Sequence, residues 1–337
     1  MTTRDVRIYG IGKYLPKQIV RAEDMDKRIG TEKGWVAKKS GVLTRHFIED
    51  ETASEMGAIA ATEALADANL HLSDIDCIVS ASGTVEQAIP STASLIYQKL
   101  DPNHCGIPAF DINSTCLSFV TALDHLSYLV HAGRYRHVLI ISSEIASVGL
   151  NWNHKESCSL FGDGAAAVVI GPTQSGESSQ IITSRMETFP QGAQLSEIRG
   201  GGSRNHPRNY PDELNMDDFL FDMQGEAIFR MSARLMKGVV KRLFTQSKDR
   251  APLTMEEMKL VIPHQASLMA MKLIQKRLSI RPEQMLIIAQ NHGNVIAASI
   301  AIGLYEAIKK QKIKRGDRIL LLGTSAGLSI GGLVLDY

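Results

Sequence analysis

The stretch Asp111-Ile-Asn-Ser-Thr-Cys116-Leu-Ser-Phe-Val-Thr-Ala-Leu-Asp-His-Leu-Ser-Tyr-Leu-Val130 places a cysteine directly before a strongly periodic helix. Its apolar residues recur with the i, i+3, i+4, i+7 spacing of a helix that buries one face. Asn113, Ser114 and Thr115 are residue types that cap helix N-termini. Unpaired N–H groups and the helix dipole favour a thiolate at such a terminus, so we expect the pKa of Cys116 to lie below its usual value of about 8.5. Two interpretations stay open for this stretch alone, a nucleophile and a buried packing residue.

The same order of elements returns in the second part of the chain. Leu286-Ile-Ile-Ala-Gln-Asn-His-Gly-Asn294 opens a predicted helix at 295–310, as the residues before Cys116 open the first one. The strand at 74–83, the helix at 91–100 and the turn and strand at 132–143 likewise have partners at 258–266, 267–278 and 313–325. Each element lies about 180 positions after its partner, which predicts two duplicated halves.

Strands that alternate with helices of this length are typical of βαβ units, so we predict an α/β fold with largely parallel, buried sheets. We divide the chain into an N-terminal half at 1–172 and a C-terminal half at 225–337. Between them, residues 173–224 form a polar, Gly/Pro-rich excursion over the surface that belongs to the second half.

Duplication also predicts a geometry for the candidate site. Equivalent helix starts face each other across a pseudo-twofold axis, so we expect Cys116 and Asn294 to converge. His264 follows a buried strand, and reacting groups gather at the carboxyl ends of parallel strands. Taken alone, His264 is typical of a structural histidine and Asn294 of a helix N-cap. Together with Cys116 they form a nucleophile with two hydrogen-bond donors beside it.

Composition excludes several classes of function. The 37 lysines and arginines nearly cancel the 36 aspartates and glutamates, so a net charge of +1 indicates no nucleic-acid partner. The four cysteines show neither a CxxC pair nor zinc spacing, so we expect reduced thiols, no metal site and a cytoplasmic protein. No apolar run reaches the roughly 18 residues of a membrane span, and the N-terminus lacks the apolar region of a signal peptide, so we expect no membrane association.

Over its whole length the sequence resembles the β-ketoacyl-acyl-carrier-protein synthase III family of thiolase-like condensing enzymes. Besides the Cys116 stretch, the motifs that carry the resemblance are Leu160-Phe-Gly-Asp-Gly-Ala165, Val261-Ile-Pro-His-Gln-Ala266, His292-Gly-Asn-Val-Ile-Ala-Ala-Ser299 and Ser325-Ala-Gly-Leu-Ser329. The resemblance implies a thiolase-like fold whose halves form a five-layered αβαβα arrangement. It also implies a catalytic triad of Cys116, His264 and Asn294, with oxyanion-binding N–H groups at Cys116 and Ala326.

The implied reaction is the decarboxylative Claisen condensation of an acyl-coenzyme A primer with malonyl-acyl-carrier protein. An acyl group on Cys116 is the intermediate, a 3-oxoacyl-acyl-carrier protein is the product, and coenzyme A (CoA) enters only as a thioester substrate, with no metal or cofactor. The resemblance also implies a homodimer.

The resemblance assigns further residues to substrate contacts. Trp35 would stack on the CoA adenine, with Lys39 and Lys155 near its phosphates. Both lysines stand where the family often has arginine, so the charge is kept but bidentate geometry is lost. A basic surface formed by Arg230, Lys276 and Arg277 would meet the acidic carrier protein, and solvated helix faces are the alternative for these three.

Departures from the family pattern concern the acyl chain. Leu117 and Ser118 replace small residues beside the nucleophile, and Ser267 stands where asparagine is usual. Ile89 lies where a bulky aromatic residue from the neighbouring subunit often limits chain length, so we expect a primer longer or less usual than acetyl. Three alternatives stay open: acyl transfer to a non-carrier acceptor, head-to-head condensation of two acyl-CoA molecules in a specialised pathway, and a non-condensing thioester binder.

Overall fold

The computed structural model describes residues 3–210, 213–246 and 251–337. The strands are β1 (Val6–Tyr14), β2 (Gln18–Arg21), β3 (Thr44–Phe47), β4 (Cys77–Ser80), β5 (Ala109–Asp111), β6 (Val138–Glu144), β7 (Gly164–Pro172), β8 (Gln180–Thr188), β9 (Ser196–Glu197), β10 (Asp222–Met223), β11 (Leu260–Pro263), β12 (Arg318–Ser325) and β13 (Ser329–Asp336). The helices are α1 (Ala22–Arg28), α2 (Trp35–Ser40), α3 (Ala53–Ala68), α4 (Thr92–Leu100), α5 (Ser118–His131), α6 (Lys155–Cys158), α7 (Gly225–Phe244), α8 (Leu268–Arg277), α9 (Ala289–His292) and α10 (Ala298–Lys309).

Two central sheets share one topology. The first has the strand order β1-β7-β6-β4-β5 and the second has the order β11-β12-β13-β8. Each strand of the second sheet therefore has a counterpart in the first: β11 corresponds to β4, β12 to β6, β13 to β7 and β8 to β1. The position of β5 is matched by an isolated bridge between Val261 and Met285. This correspondence confirms the predicted duplication.

The sheets are mixed, so the prediction of largely parallel sheets is wrong. Only β4–β5, β4–β6 and β11–β12 pair in parallel, and the remaining pairings of the two sheets are antiparallel. The reason is visible at β12 and β13, which are joined by residues 326–328 alone. A connection this short cannot form the crossover that a parallel pair requires, so the chain must turn back on itself.

The segment 173–224 is less of an excursion than the sequence suggested. Its first strand, β8, pairs with β13 along its length and buries Ile181 and Ile182 in the core. The described residues that follow, 189–210 and 213–224, hold the short β9–β10 pair and lie outside the two central sheets.

Side chains alternate between the two faces of each sheet and pack into separate cores, and this arrangement produces five layers. In β6, Val138 and Ile140 pack in the core shared with α5 and α10, whereas Leu139 and Ile141 pack on the other face with α3. The second sheet divides its side chains between the α5/α10 layer and a core that it shares with α7 and α8. The five-layered αβαβα arrangement is thus confirmed, with α5 and α10 as the central layer. Among the described helices, none is both long and apolar enough to cross a membrane.

Candidate active site

The loop before α5 carries Cys116. The helix begins at Ser118, and Leu117 at its N-cap position makes no side-chain capping hydrogen bond, so the predicted capping by Asn113, Ser114 or Thr115 is wrong. Asn113 instead accepts a hydrogen bond of 2.8 Å from the Thr115 N–H and closes a tight turn. Thr115 has a φ of 49°, a left-handed conformation that is costly for a β-branched residue.

Ser118 holds this turn from the helix side. Its hydroxyl donates to the Thr115 carbonyl at 2.6 Å and accepts from the Ser114 N–H at 2.9 Å. The hydroxyl is also 3.1 Å from the Ser82 carbonyl of the loop after β4. The nucleophile loop is therefore fixed by side chains of the loop and of the helix that follows it.

The electrostatic expectation for Cys116 is also corrected. Burial raises the pKa of its thiol to about 12, and the negative charge of Glu144 acts in the same direction. A hydrogen bond from the backbone N–H of Ala326 lowers this pKa without offsetting the burial. The thiol is therefore protonated at neutral pH and needs a base to become a nucleophile.

His264 is the histidine that the sequence predicts beside Cys116, and it is the candidate for that base. It follows β11, is buried, and its backbone N–H donates to the Leu322 carbonyl at 2.8 Å. Burial lowers the pKa of His264 to about 4, although a hydrogen bond with the backbone of Ile296 acts in the opposite direction. The imidazole is consequently neutral at physiological pH and can both accept and donate a proton.

Asn294 lies between α9 and α10. Its backbone N–H donates to the Leu160 carbonyl at 2.8 Å, and its carbonyl accepts from the Gly162 N–H at 3.1 Å. Its side-chain oxygen accepts a hydrogen bond of 3.0 Å from the Ile296 N–H, which leaves the NH₂ group as a donor. The N-cap position of α10 is occupied by Ala297, so Asn294 is not the cap of that helix.

Two glycines mark where the halves meet. A Cβ on Gly83 would lie 2.7 Å from the Cγ2 atom of Ile296 and 3.2 Å from the Cα atom of Thr115. The segments that carry Asn294 and Cys116 therefore approach the same point.

On the other side, a Cβ on Gly323 would lie 2.9 Å from the Cβ atom of His264 and 3.1 Å from the Cδ2 atom of Leu117. The residue after the cysteine thus packs near the histidine. Glycine at 83 and 323 permits these close approaches.

A cavity of about 610 Å³ leads to this region. His264 and Asn294 line it together with Lys39, Arg230 and Arg277, and its apolar walls come mainly from α7 and α8. Six other predicted side chains are not part of its lining: Trp35, Ile89, Cys116, Leu117, Lys155 and Lys276. Ala326, whose predicted contribution is a backbone N–H, is not part of the lining either.

The predicted CoA residues lie on α2 and α6. Trp35 begins α2, and Lys39 of the same helix pairs with Glu156 at 2.6 Å. Lys155 donates to the Gly30 carbonyl at 3.2 Å. Sequence reasoning missed a second tryptophan nearby, Trp152, which belongs to the same apolar cluster as Trp35. No sequence motif distinguished it.

The predicted carrier-protein residues lie on α7 and α8. Arg230 pairs with Glu226 one turn earlier, and both side chains are about three-quarters exposed. Lys276 and Arg277 fall in the last turn of α8. Ile89 is 85% exposed, whereas Leu117 is fully buried.

Glu144 is the main residue near the site that sequence reasoning missed. It ends β6, is fully buried, and influences the pKa of Cys116. The sequence could have indicated Glu144, because an acidic residue at the end of an apolar strand is buried only when it has specific hydrogen-bond or charge partners. Within the described ranges, no cluster of three or more His, Cys, Asp or Glu side chains could hold a metal ion.

The fold and the family comparisons together define a thiolase-like condensing enzyme of the acyltransferase class. The family description 3-oxoacyl-acyl-carrier-protein synthase III matches residues 110–190, and its C-terminal counterpart matches residues 249–337. The β-ketoacyl-acyl-carrier-protein synthase III of Aquifex aeolicus (strain VF5) is 35% identical over 98% of this chain and 99% of its own length. The chain belongs to the β-ketoacyl-acyl-carrier-protein synthase III family.

Solved structures agree with this assignment. The crystal structure of 3-oxoacyl-acyl-carrier-protein synthase III from Aquifex aeolicus VF5 matches with a TM-score of 0.87 at 34% identity, covering 100% of both chains. The structure of a priming β-ketosynthase from a polyketide biosynthetic pathway gives a TM-score of 0.87 at 25% identity, covering 99% of this chain and 96% of that one. The resemblance drawn from the sequence motifs is confirmed.

Proposed function

We propose that this protein condenses an acyl-CoA primer with malonyl-acyl-carrier protein through an acyl group on Cys116, giving a 3-oxoacyl-acyl-carrier protein. The observation that carries the proposal is the hydrogen bond of 2.6 Å from the Ser325 hydroxyl to the Ser114 carbonyl, which fixes the backbone before Ala326 against the loop of Cys116. A backbone donor at the nucleophile is what a tetrahedral acyl-transfer intermediate requires. Membership of the family supports the same reaction.

Acylation uses His264 as the base. The Cys116 thiol gives its proton to the neutral imidazole as the sulfur attacks the thioester carbonyl, and the N–H groups of Cys116 and Ala326 stabilise the oxyanion. When the intermediate collapses, the carbon–sulfur bond to CoA breaks and the departing thiolate takes the proton from His264. Cys116 then carries the acyl group, and His264 is neutral again.

Condensation uses the same histidine as a donor. The malonyl thioester loses carbon dioxide, and the enolate oxygen accepts hydrogen bonds from His264 and from the NH₂ group of Asn294. The enolate carbon attacks the acyl thioester, the bond to the sulfur of Cys116 breaks, and the released thiolate takes a proton from solvent. No base, metal or redox cofactor takes part in this step.

Substrate contacts belong to the same proposal. Trp35 stacks on the adenine, and Lys39 and Lys155 face the phosphates of CoA. The exposed cations Arg230, Lys276 and Arg277 meet the carrier protein at the mouth of the cavity, since acidic partners are attracted by such a surface. The proposal also includes a homodimer and a cytoplasmic location. The apolar side chain of Ile89 is 85% exposed, as expected if a partner subunit covers it.

The primer is longer or less usual than acetyl. Support comes from Ile89, whose side chain is smaller than an aromatic ring. A panel of acyl-CoA esters tests this point. Turnover of octanoyl-CoA at a rate equal to or above that of acetyl-CoA supports it, and a strong preference for acetyl-CoA contradicts it.

The product distinguishes the proposed reaction from its alternatives. Intact mass of the carrier protein after incubation with acyl-CoA and enzyme should show loss of malonyl and gain of the 3-oxoacyl group. Formation of a β-keto acid from two acyl-CoA molecules without malonyl-carrier protein would instead establish head-to-head condensation. Transfer of the acyl group to another acceptor would establish a simple acyltransferase.

A further inference from the structure

Glu144 is a carboxylate enclosed where the two halves meet. One oxygen accepts hydrogen bonds from the N–H of Gly83 at 2.6 Å and from the N–H of Ala297 at 3.3 Å. The other accepts from the N–H and the hydroxyl of Thr84 at 2.9 and 2.6 Å. One side chain thus joins the loop after β4 in the first half to the N-terminus of α10 in the second half.

The Gly83–Thr84 segment leads from Glu144 to the candidate catalytic groups. Gly83 is wedged between Thr115, which precedes Cys116, and Ile296, which follows Asn294 by two residues. This segment therefore packs against both of the loops that carry Cys116 and Asn294.

Burial of a carboxylate costs free energy, so hydrogen bonds from its partners must offset that cost. Its four donors come from backbone N–H groups and one hydroxyl, and no ion pair with Glu144 is found in the ranges that the structure describes. Burial raises the pKa of Glu144 to about 7, while the hydrogen bonds of Thr84, Gly83 and Ala297 lower it. None of these three partners is titratable, and Cys116 is the titratable group whose pKa the charge of Glu144 raises.

We propose that Glu144 is a positioning residue, whose carboxylate holds Gly83, Thr84 and Ala297 so that Cys116 and Asn294 stand at the separation that acyl transfer requires. Glu144 itself does not touch the substrate. This inference rests on the proposed acyl transfer at Cys116.

The test compares two rates in Glu144→Gln with those of the wild type. The glutamine keeps one oxygen for Gly83 and Ala297 but places an NH₂ group against the Thr84 N–H, so that hydrogen bond is lost and the Thr84 hydroxyl must accept instead of donate. Single-turnover acylation by acetyl-CoA and octanoyl-CoA depends on the full geometry of the site. Alkylation of Cys116 by iodoacetamide at about pH 8, followed by peptide mass analysis, depends only on access and thiolate content.

Asp336→Asn is the matched control. Asp336 is also buried and accepts hydrogen bonds from the guanidinium of Arg318 at 2.7 and 3.1 Å. The two residues pair at the end of β12 and β13 that lies opposite Ser325, and neither belongs to the Gly83–Thr84 segment or to the α10 N-terminus. Asp336→Asn should therefore keep an acylation rate within about threefold of the wild type, even if its stability falls.

We expect Glu144→Gln to lower the saturating acylation rate by at least about 10-fold, with the half-saturating concentration within about twofold. Alkylation of Cys116 should be faster than in the wild type, because a neutral neighbour no longer disfavours the thiolate. Cys77 and Cys158, both buried, should stay unlabelled.

Acylation within about twofold of the wild type, or a fall in both rates, overturns the positioning role. Failure of the proposed function is recognised separately, because the wild type itself then forms no acyl adduct. In that case alkylation alone decides: a faster rate in Glu144→Gln supports the coupling to Cys116, and an unchanged or slower rate overturns it.

Discussion

The hydroxyl of Ser325 donates a hydrogen bond of 2.6 Å to the carbonyl oxygen of Ser114, 211 residues earlier in the chain. The same hydroxyl also bonds the side chain of Thr115. Ser325 precedes Ala326, so this contact ties the loop of the proposed oxyanion N–H to the loop that carries Cys116.

Ser325→Ala should slow the acylation of Cys116 by about 10-fold, because the Ala326 N–H is no longer held against the sulfur. The measurement is the single-turnover rate with saturating acyl-CoA. Ser329→Ala is the control, since the Ser329 hydroxyl bonds Thr188 at 2.8 Å at the other end of the same turn. Equal rates in the two variants would contradict a role of Ser325 in the site.

Gly323→Ala should disturb the site and the core together. The added Cβ would lie 2.9 Å from His264 and 3.1 Å from Leu117, so one of them must move. We expect a loss of about 1–3 kcal/mol in the free energy of unfolding and a reduced rate of condensation. Urea unfolding and turnover measure the two effects. In Gly202→Ala, where nothing lies within 4 Å of the new Cβ, both should be unchanged.

Protonation of His264 should destabilise the protein in acid. The pKa of His264 in the folded state is about 4, below the usual value of about 6.5 in an unfolded chain. Between these values the unfolded chain binds more protons, so stability is complete above about pH 6.5 and is lost as the pH falls toward 4, by up to about 3 kcal/mol. Denaturant unfolding of the wild type and of His264→Gln at several pH values measures this slope as the difference between the two proteins, because the raised pKa of Glu144 contributes a slope of opposite sign to both. Parallel pH profiles of the two proteins would refute the assignment.

The ion pair between Lys39 and Glu156 should compete with CoA. Both side chains are half-exposed and 2.6 Å apart, so a phosphate must share Lys39 with the carboxylate. Glu156→Gln should lower the KM for acyl-CoA by about two- to fivefold at low salt, and the gain should shrink as salt screens the phosphate. Glu283→Gln removes a comparable exposed partner, 3.2 Å from Arg281, and should leave KM unchanged. A KM for Glu156→Gln equal to that of the wild type would count against Lys39 as a phosphate contact.

Much of the fold could be predicted because local pattern and duplication agree. The apolar residues after Cys116 recur with helical spacing, and a similar segment opens the helix after Asn294. These two features indicated two halves with facing helices, which form the central layer of the structure. Strand direction could not be predicted in this way, because it depends on the length of the connections. The three residues between Ser325 and Ser329 require β12 and β13 to run antiparallel. This could be recognised only after both flanking segments were known to be strands.

The electrostatics of the site could not be predicted from local sequence. A cysteine beside a helix start suggested a lowered pKa, yet Cys116 is partly buried, and removal of its thiol from water and the charge of Glu144 raise its pKa. The residues that influence this pKa lie in both halves of the chain. Local motifs therefore indicated the candidate reacting residues but not their protonation states.

Intact-protein mass after incubation with acetyl-CoA and octanoyl-CoA tests the central claim most directly. The account predicts a single acyl adduct on the wild type, none on Cys116→Ala, and loss of the adduct when malonyl-acyl-carrier protein is added. An adduct that forms equally on Cys116→Ala would contradict the claim, as would the absence of any adduct on the wild type.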